Sequence, residues 1–189
     1  ILDALALPDF EAIQREAPPY LFGLTDAQIV AEAEAFAPDV IGLSVAAEVF
    51  GATAIACAAA LRKRFPKALI LAGGSDPSMQ PDHYLEPDTP FDALVMGEGE
   101  MALEAILSAL ANGQDWRGAP SLALRVGDGP MQRTPRAEVA DLDACPPDWS
   151  DLPFERYFDL TRRGFPSRQG IEYPDSDRAV YLVTSRGCP

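Results

Sequence analysis

The chain has 189 residues, 48% of them hydrophobic, and a formal net charge of −14. That length holds one sizeable hydrophobic core with room for a small second unit. The acid excess argues against a nucleic-acid surface, which needs clustered Lys and Arg, and against docking on anionic lipid. No apolar run approaches the roughly 20 residues of a membrane span.

The first two-thirds alternate between strand and helix patterns. Residues 1–6 suit a short strand. The chain opens on Ile1 without a Met, and Ile1-Leu2-Asp3-Ala4-Leu5 lacks the basic stretch and cleavage site of a secretion signal. A truncated N-terminus and a cytoplasmic protein are expected. Thr25 is placed to cap a helix, with Gln28 completing a capping box; the helix carries Ile29, Val30, Ala33 and Phe36 and stops before Pro38. Val40-Ile41-Gly42-Leu43-Ser44-Val45 is an apolar run expected of a strand covered on both faces. A second helix is predicted over residues 52–65, with Lys63 and Arg64 where they complement the helix dipole. Ala68-Leu69-Ile70-Leu71-Ala72 predicts a buried strand closed by Gly73-Gly74. After a loop, Phe91-Asp92-Ala93-Leu94-Val95-Met96 predicts another strand, and Gly97-Glu98-Gly99-Glu100 turns into a helix ending near Ala111.

Strands separated by helices of this length imply an α/β fold with a parallel sheet. The pattern then changes. Residues 121–126 and 131–134 flank Gly127-Asp128-Gly129, a hairpin signal. Residues 135–177 are rich in proline and charge, which is linker composition, with one helical turn expected near residues 154–158. The predicted organisation is an α/β domain over residues 1–118, a hairpin and linker over 119–179, and the start of something further over 180–189.

Three cysteines make no disulfide framework. Cys57 lies on the apolar face of the second helix and reads as a small buried residue; Cys145 lies among prolines. Cys188 is different. Val180-Tyr181-Leu182-Val183 leads through Thr184-Ser185-Arg186-Gly187 into Cys188-Pro189. A strand, a glycine turn and a cysteine deliver a thiolate to a metal. One thiolate does not hold an iron–sulfur cluster, which needs several.

In an open parallel sheet, ligands bind beyond the carboxyl ends of the strands. Three loops are predicted there: Ser44 and the residues after it, Gly73-Gly74-Ser75-Asp76-Pro77, and Gly97-Glu98-Gly99-Glu100. Paired glycines after a strand let a ligand approach the backbone, although glycines at a helix start are also ordinary turn chemistry. Two carboxylates in the third loop would repel phosphate. There is no G-x-G-x-x-G and no Walker lysine, which disfavours a nucleotide-dependent enzyme.

The segment ending in Ser185-Arg186-Gly187-Cys188-Pro189 resembles the start of a radical S-adenosylmethionine (SAM) barrel, where S-R-G-C-P precedes a C-x3-C-x2-C motif. The preceding chain resembles the cobalamin-binding domain found ahead of many such barrels. That likeness rests on Pro38-Asp39-Val40-Ile41-Gly42-Leu43-Ser44, on Leu71-Ala72-Gly73-Gly74, and on Asp92-Ala93-Leu94-Val95-Met96-Gly97-Glu98-Gly99-Glu100. It implies a flavodoxin-like (Rossmann-like) sheet with flanking helices, followed by the hairpin and proline-rich linker. It also implies a cobalamin site bordered by Ser44, Val45, Gly73, Gly74, Ser75, Gly97, Glu98 and Gly99. Ser44 and Gly73-Gly74 would lie along the nucleotide tail of the corrinoid, and residues 45–48 and 75–77 near its ring.

The resemblance further implies a [4Fe–4S] cluster held by Cys188 and two cysteines beyond Pro189, with SAM as its substrate. The partners are then a C-terminal barrel in the same chain and a small molecule. The commonest reaction of such enzymes is methyl transfer to an unactivated carbon; some close rings instead. Two features depart from the pattern. The lone histidine, His83, stands in no D-x-H-x-x-G motif, so a corrinoid here would take no imidazole from this domain. The strand and helix that normally precede the segment resembling residues 1–4 are missing. An alternative reading is a flavodoxin-like interaction module with a vestigial cobalamin slot.

Overall fold

The computed structural model describes residues 24–127, 129–139, 141, 143, 146, 148–150, 152–155 and 158. The chain divides into two units, Thr25–Pro147 and a second made of Ile1–Leu24 with Asp148–Pro189. The expected strand at residues 1–6, Cys145, the expected strand at residues 180–183 and Cys188 all lie outside the described residues.

The first unit opens on the predicted capping box, but its helix ends at Glu34, so Phe36 falls outside it and is exposed. Thr25 Oγ1 accepts the Gln28 N–H at 3.3 Å, and Gln28 Oε1 accepts the Thr25 N–H at 2.9 Å. This capping box satisfies backbone donors that the first turn of helix α1 (Asp26–Glu34) would leave unpaired. Ile29, Val30 and Ala33 on one face of α1 pack against the core. Strand β1 (Val40–Ser44) leads to helix α2 (Gly51–Arg64), and strand β2 (Leu69–Gly73) follows. Two short helices come next, α3 (Ser75–Met79) and α4 (Pro81–Tyr84). The sequence gives this stretch the look of a loop because of Pro77 and Pro81. Both prolines fall within a first helical turn, where a missing N–H costs nothing. Strand β3 (Ala93–Val95) and helix α5 (Glu100–Ala111) complete the alternating part.

β1 and β2 pair in parallel from Val40↔Leu69 to Ser44↔Gly73, and β2 pairs with β3 in parallel from Leu71↔Ala93 to Gly73↔Val95. The predicted hairpin forms as β4 (Leu122–Leu124) and β5 (Gln132–Arg133). It does not stand apart. β4 pairs antiparallel with β3, giving one five-stranded mixed sheet in the order β1-β2-β3-β4-β5. The side chains explain this: all of β4 is buried, so it needs the sheet's interior rather than a solvated hairpin.

One expectation is corrected. The run 40–45 is not covered on both faces. Gly42 and Ser44 are exposed, Val40, Ile41 and Leu43 are half-buried, and in this run Val45 is the buried residue. Among the described residues β1 is the sheet edge, and the longest buried run is residues 69–72 of β2, an inner strand. Its alternating side chains feed two cores. Ile70 and Ala72 pack with Val45, Cys57, Ala58, Leu61 and Leu94 beneath α1 and α2, while Leu69 and Leu71 pack with Val95, Ala102, Ile106 and Leu122 beneath α5.

In the second unit the Trp149 and Phe154 rings lie 6.0 Å apart and those of Phe154 and Phe158 6.2 Å apart. Phe154, Glu155 and Phe158 are helical, where one turn is expected. Among the described residues no helix is long and apolar enough to cross a membrane, and no group of His, Cys, Asp and Glu is arranged to hold a metal ion.

Candidate functional site

β1, β2 and β3 run in the same direction, so their carboxyl ends share one edge of the sheet. The three glycine- and serine-bearing loops predicted there do meet. Val45, buried, donates its N–H to Gly73 O at 2.8 Å, and its carbonyl accepts the Asp76 N–H at 3.2 Å. Ser75 Oγ donates to Ala46 O at 3.1 Å. The loop after β1 is therefore laced to the loop after β2. Ser78 Oγ extends the lacing: it donates to Gly74 O at 2.8 Å and accepts the Gly97 N–H at 2.9 Å. Ser78 bridges the second and third loops, and nothing in its sequence context singles it out.

The glycines are there for different reasons. Gly74 has φ +106 and ψ −175, a region open in practice to glycine alone. A Cβ there would stand 2.5 Å from Val45 O. The approach of two protein backbones by itself therefore demands glycine here. At Gly73 a Cβ would make only ordinary contact with Val95, at 3.5 Å. Gly97 has φ +76 and lies against the Arg136 guanidinium, whose Nη2 is 2.9 Å from the position of a Cβ. Gly99 precedes α5 with its Cβ position 3.8 Å from the nearest side chains. Between them, Glu98 Oε2 accepts the Val139 N–H at 2.9 Å.

Behind the second loop is a buried polar cluster. Asp76 is only 5% exposed. It accepts from the Tyr84 hydroxyl, and from Gln80 Nε2 at 3.2 Å. Burial first, and the neighbouring carboxylate second, push the Tyr84 phenol well above its ordinary pKa. A Cβ on Gly51, the first residue of α2, would stand 2.8 Å from that hydroxyl. Tyr84 therefore braces α3, α4 and the start of α2 together. The sequence carries no periodic signal for this cluster, because both short helices are shorter than a hydrophobic repeat.

At the carboxyl edge Ser44 and Ser75 are exposed, as are Ala46 and Ala47. Large apolar side chains are exposed in the same loops: Val49 and Phe50 after β1, Met79 after β2 (81% exposed), and Met101 after β3. Exposed apolar groups of this size gathered at one edge mark a surface that meets a ligand or another protein surface. His83 is exposed on α4, edge-on to Tyr84 with ring centroids 5.3 Å apart. Two open clefts lie at the opposite, amino edge, one walled by Leu85, Phe91, Leu124 and Arg125, the other by Val40, Leu69, Leu107 and Leu110.

The family model for the B12 binding domain matches residues 10–107, more than half of the chain. The chain belongs to the B12 binding domain family. It is 27% identical over 168 residues to the anaerobic magnesium-protoporphyrin IX monomethyl ester cyclase of Synechocystis sp., a match covering 88% of this chain and 31% of that protein. It is 31% identical over 91 residues to the cobalamin-dependent radical SAM methyltransferase TokK of Streptomyces tokunonensis, covering 48% of this chain and 13% of TokK. The structure of the cobalamin-dependent SAM radical enzyme OxsB, with aqua-cobalamin and SAM bound, shares the fold at a TM-score of 0.55 and 19% identity, over 61% of this chain and 16% of OxsB. The chain spans about a third of the length of the curated relatives it matches most extensively.

A B12-binding domain needs an edge where small residues leave room and apolar ones meet the macrocycle. The residues present fit. Ser44 and Ser75 are exposed and small, and Val49, Phe50 and Met79 supply apolar surface.

Proposed function

We propose that this B12-binding domain serves a radical SAM enzyme that transfers a methyl group to an unactivated carbon of a small molecule or closes a ring on one. The observation that carries the reading is the laced carboxyl edge, with exposed small and apolar residues, in a chain whose family binds B12. The names of the relatives supply the radical SAM context. When bound, a corrinoid supplies a carrier for a one-carbon unit. This chain's residues hold and screen it. Ser44 and Ser75 offer hydroxyls at the edge, Val45, Gly73 and Gly74 form the backbone floor, and Gly97 and Gly99 shape the third loop. With His83 on α4, the cofactor takes no imidazole from this domain.

The rest of the proposal lies in the sequence. Cys188 is the first thiolate of a [4Fe–4S] cluster, completed by two cysteines past Pro189, and the cluster works on SAM. Residues 1–118 form the cobalamin domain, 119–179 the hairpin and linker, and 180–189 open a C-terminal barrel in the same chain. The enzyme works in the cytoplasm on a small molecule, and this segment alone is inactive.

The test is reconstitution of the full-length protein with hydroxocobalamin, followed by gel filtration. Corrinoid should co-elute with protein, with a spectrum that His83→Ala leaves unchanged. Anaerobic reconstitution with iron and sulfide should give a [4Fe–4S] spectrum that Cys188→Ala abolishes. Protein eluting free of corrinoid would leave the interaction-module reading in its place.

A further inference from the structure

The segment after β5 has the composition of a linker, yet its first residues are fastened to the carboxyl edge. Past Arg133 the Thr134 N–H still donates to Leu122 O at 3.0 Å, and the Ser121 N–H donates to Pro135 O at 2.8 Å. Side chains then take over. The Ala137 N–H donates to Ser121 Oγ at 2.9 Å, and the same hydroxyl donates to Ala137 O at 3.2 Å. Two residues on, the Val139 N–H donates to Glu98 Oε2. Just before these two attachments the Arg136 guanidinium covers Gly97.

Both fastening residues are built into the edge. Ser121 is buried and holds φ +58, a left-handed conformation that a non-glycine residue adopts at a cost. Strain of that kind persists where surrounding contacts over-determine it. Here the contacts are visible: Ser121 O accepts the Met96 N–H at 2.7 Å while its N–H and hydroxyl grip the outgoing chain. Glu98 offers an ionisable carboxylate to a backbone amide, a stronger bond than a neutral acceptor makes. The Gly97 N–H is bonded to Ser78 Oγ, and Ser78 to Gly74 O. Hydrogen bonds at Gly74, Ser78 and Gly97, continued through the backbone to Glu98, therefore link the carboxyl edge to the outgoing chain.

We propose that Glu98 and Ser121 are positioning residues that latch residues 135–139 beside the corrinoid edge and fix the direction in which the chain leaves the domain. In this latch the Glu98 carboxylate holds the Val139 amide. The cofactor half of the statement rests on the corrinoid reading above; the latch itself does not.

The test uses the full-length protein, with hydrogen exchange over peptides spanning residues 134–139, limited trypsin digestion at the Arg136–Ala137 bond, and absorption spectra after reconstitution with hydroxocobalamin. Glu98→Ala should speed exchange at Val139 by about tenfold and open the tryptic site. Glu98→Gln, which keeps an acceptor oxygen in place, should restore both. Ser121→Gly relieves the backbone strain but removes the hydroxyl, so exchange at Ala137 should rise while the melting temperature holds. Corrinoid content and absorption maxima should be the same in Ser121→Gly and wild type. Protection of residues 134–139 unchanged in both Glu98→Ala and Ser121→Gly would overturn the latch; if Glu98→Ala does not fold, Ser121→Gly decides alone. Loss of corrinoid in Glu98→Ala with protection intact would make Glu98 a cofactor contact instead. Wild-type protein that takes up no corrinoid would sink the corrinoid reading, while the exchange and digestion results would still decide the latch.

Discussion

Tyr84 donates its phenolic hydrogen to the buried carboxylate of Asp76 and so joins α4 to α3 against the first residue of α2. Burial and the carboxylate both hold the phenol protonated, raising its pKa above the ordinary value of 10.0. The sign of the consequence follows. A group whose folded pKa is raised contributes its full stability below the unfolded value and loses it as pH climbs toward the folded one. Tyr84→Phe should cost on the order of 1–3 kcal/mol at neutral pH, because Asp76 loses a buried donor. Urea melts should show the gap between wild type and variant narrowing above pH 10. A gap that stays constant into the alkaline range would mean that the phenol ionises as freely in the fold as outside it.

Gly74 and Gly42 predict opposite outcomes for the same substitution. Gly74→Ala must place a Cβ on the Val45 carbonyl from a backbone with φ +106. The conformation alone costs on the order of 1–3 kcal/mol, and the clash adds to it. Gly42→Ala enters open space, so its effect should stay within about 1 kcal/mol of wild type, in the stabilising direction if the unfolded chain dominates. Denaturant midpoints of the two variants measured side by side check this; equal midpoints would refute the close approach of the two loops. Reduced corrinoid retention in a Gly74 variant therefore reports first on the fold of the edge.

Cys57 should be chemically silent in the native protein. Its thiol is pushed up from 9.0 to about 11, by burial first and by Asp26 second. Iodoacetamide at mildly alkaline pH should leave the Cys57 peptide unmodified in mass spectra until urea is added, since the thiolate is the nucleophile. The stability the thiol contributes is complete below 9.0 and falls away as pH rises toward about 11. Cys57→Ser, which buries a hydroxyl among Ala58, Leu61 and Ile70, should cost about 1–3 kcal/mol. Rapid native labelling at Cys57 would contradict its burial.

Local signals in the chain carried over into the structure wherever they rest on local physics. The Thr25–Gln28 capping box, the buried run of β2, the Gly73-Gly74 turn and the start of α5 each depend on a few adjacent residues. What the sequence hides depends on contacts far apart in the chain. Nothing in Val40-Ile41-Gly42 tells that the strand lies at an edge among the described residues, because an apolar run looks alike at the edge and in the centre. The pairing of β4 onto β3 joins residues about thirty apart, and neither strand names its partner. In the site, glycine and serine positions were visible as types, but their tasks were not. Val45 demands glycine at Gly74, and Glu98 accepts from Val139, forty-one residues on.

Arg62 shows the same distance effect at the opposite edge and gives the sharpest stability prediction. From the last turn of α2 its Nη1 donates to Ala68 O at 2.7 Å, its Nη2 to Pro90 O at 3.0 Å and to Asp92 Oδ2 at 2.5 Å. The same Asp92 oxygen accepts the Ile70 N–H at 2.7 Å. One guanidinium thus ties the end of α2 to the starts of β2 and β3, using donors that point in several directions. An ammonium is a single compact charge and cannot reach all three acceptors at once. Arg62→Ala should cost about 2 kcal/mol, and Arg62→Lys should recover less than half of it. The exposed pair of Arg64, in the same last turn, with Glu34 is the control: Arg64→Ala should change stability by no more than about 0.5 kcal/mol, since such pairs are screened by water. Urea melts of the three variants decide the matter. A lysine that fully replaces Arg62, or an Arg64→Ala loss as large as that of Arg62→Ala, would show that charge near the end of α2, rather than the forked geometry of Arg62, holds the two strands to the helix.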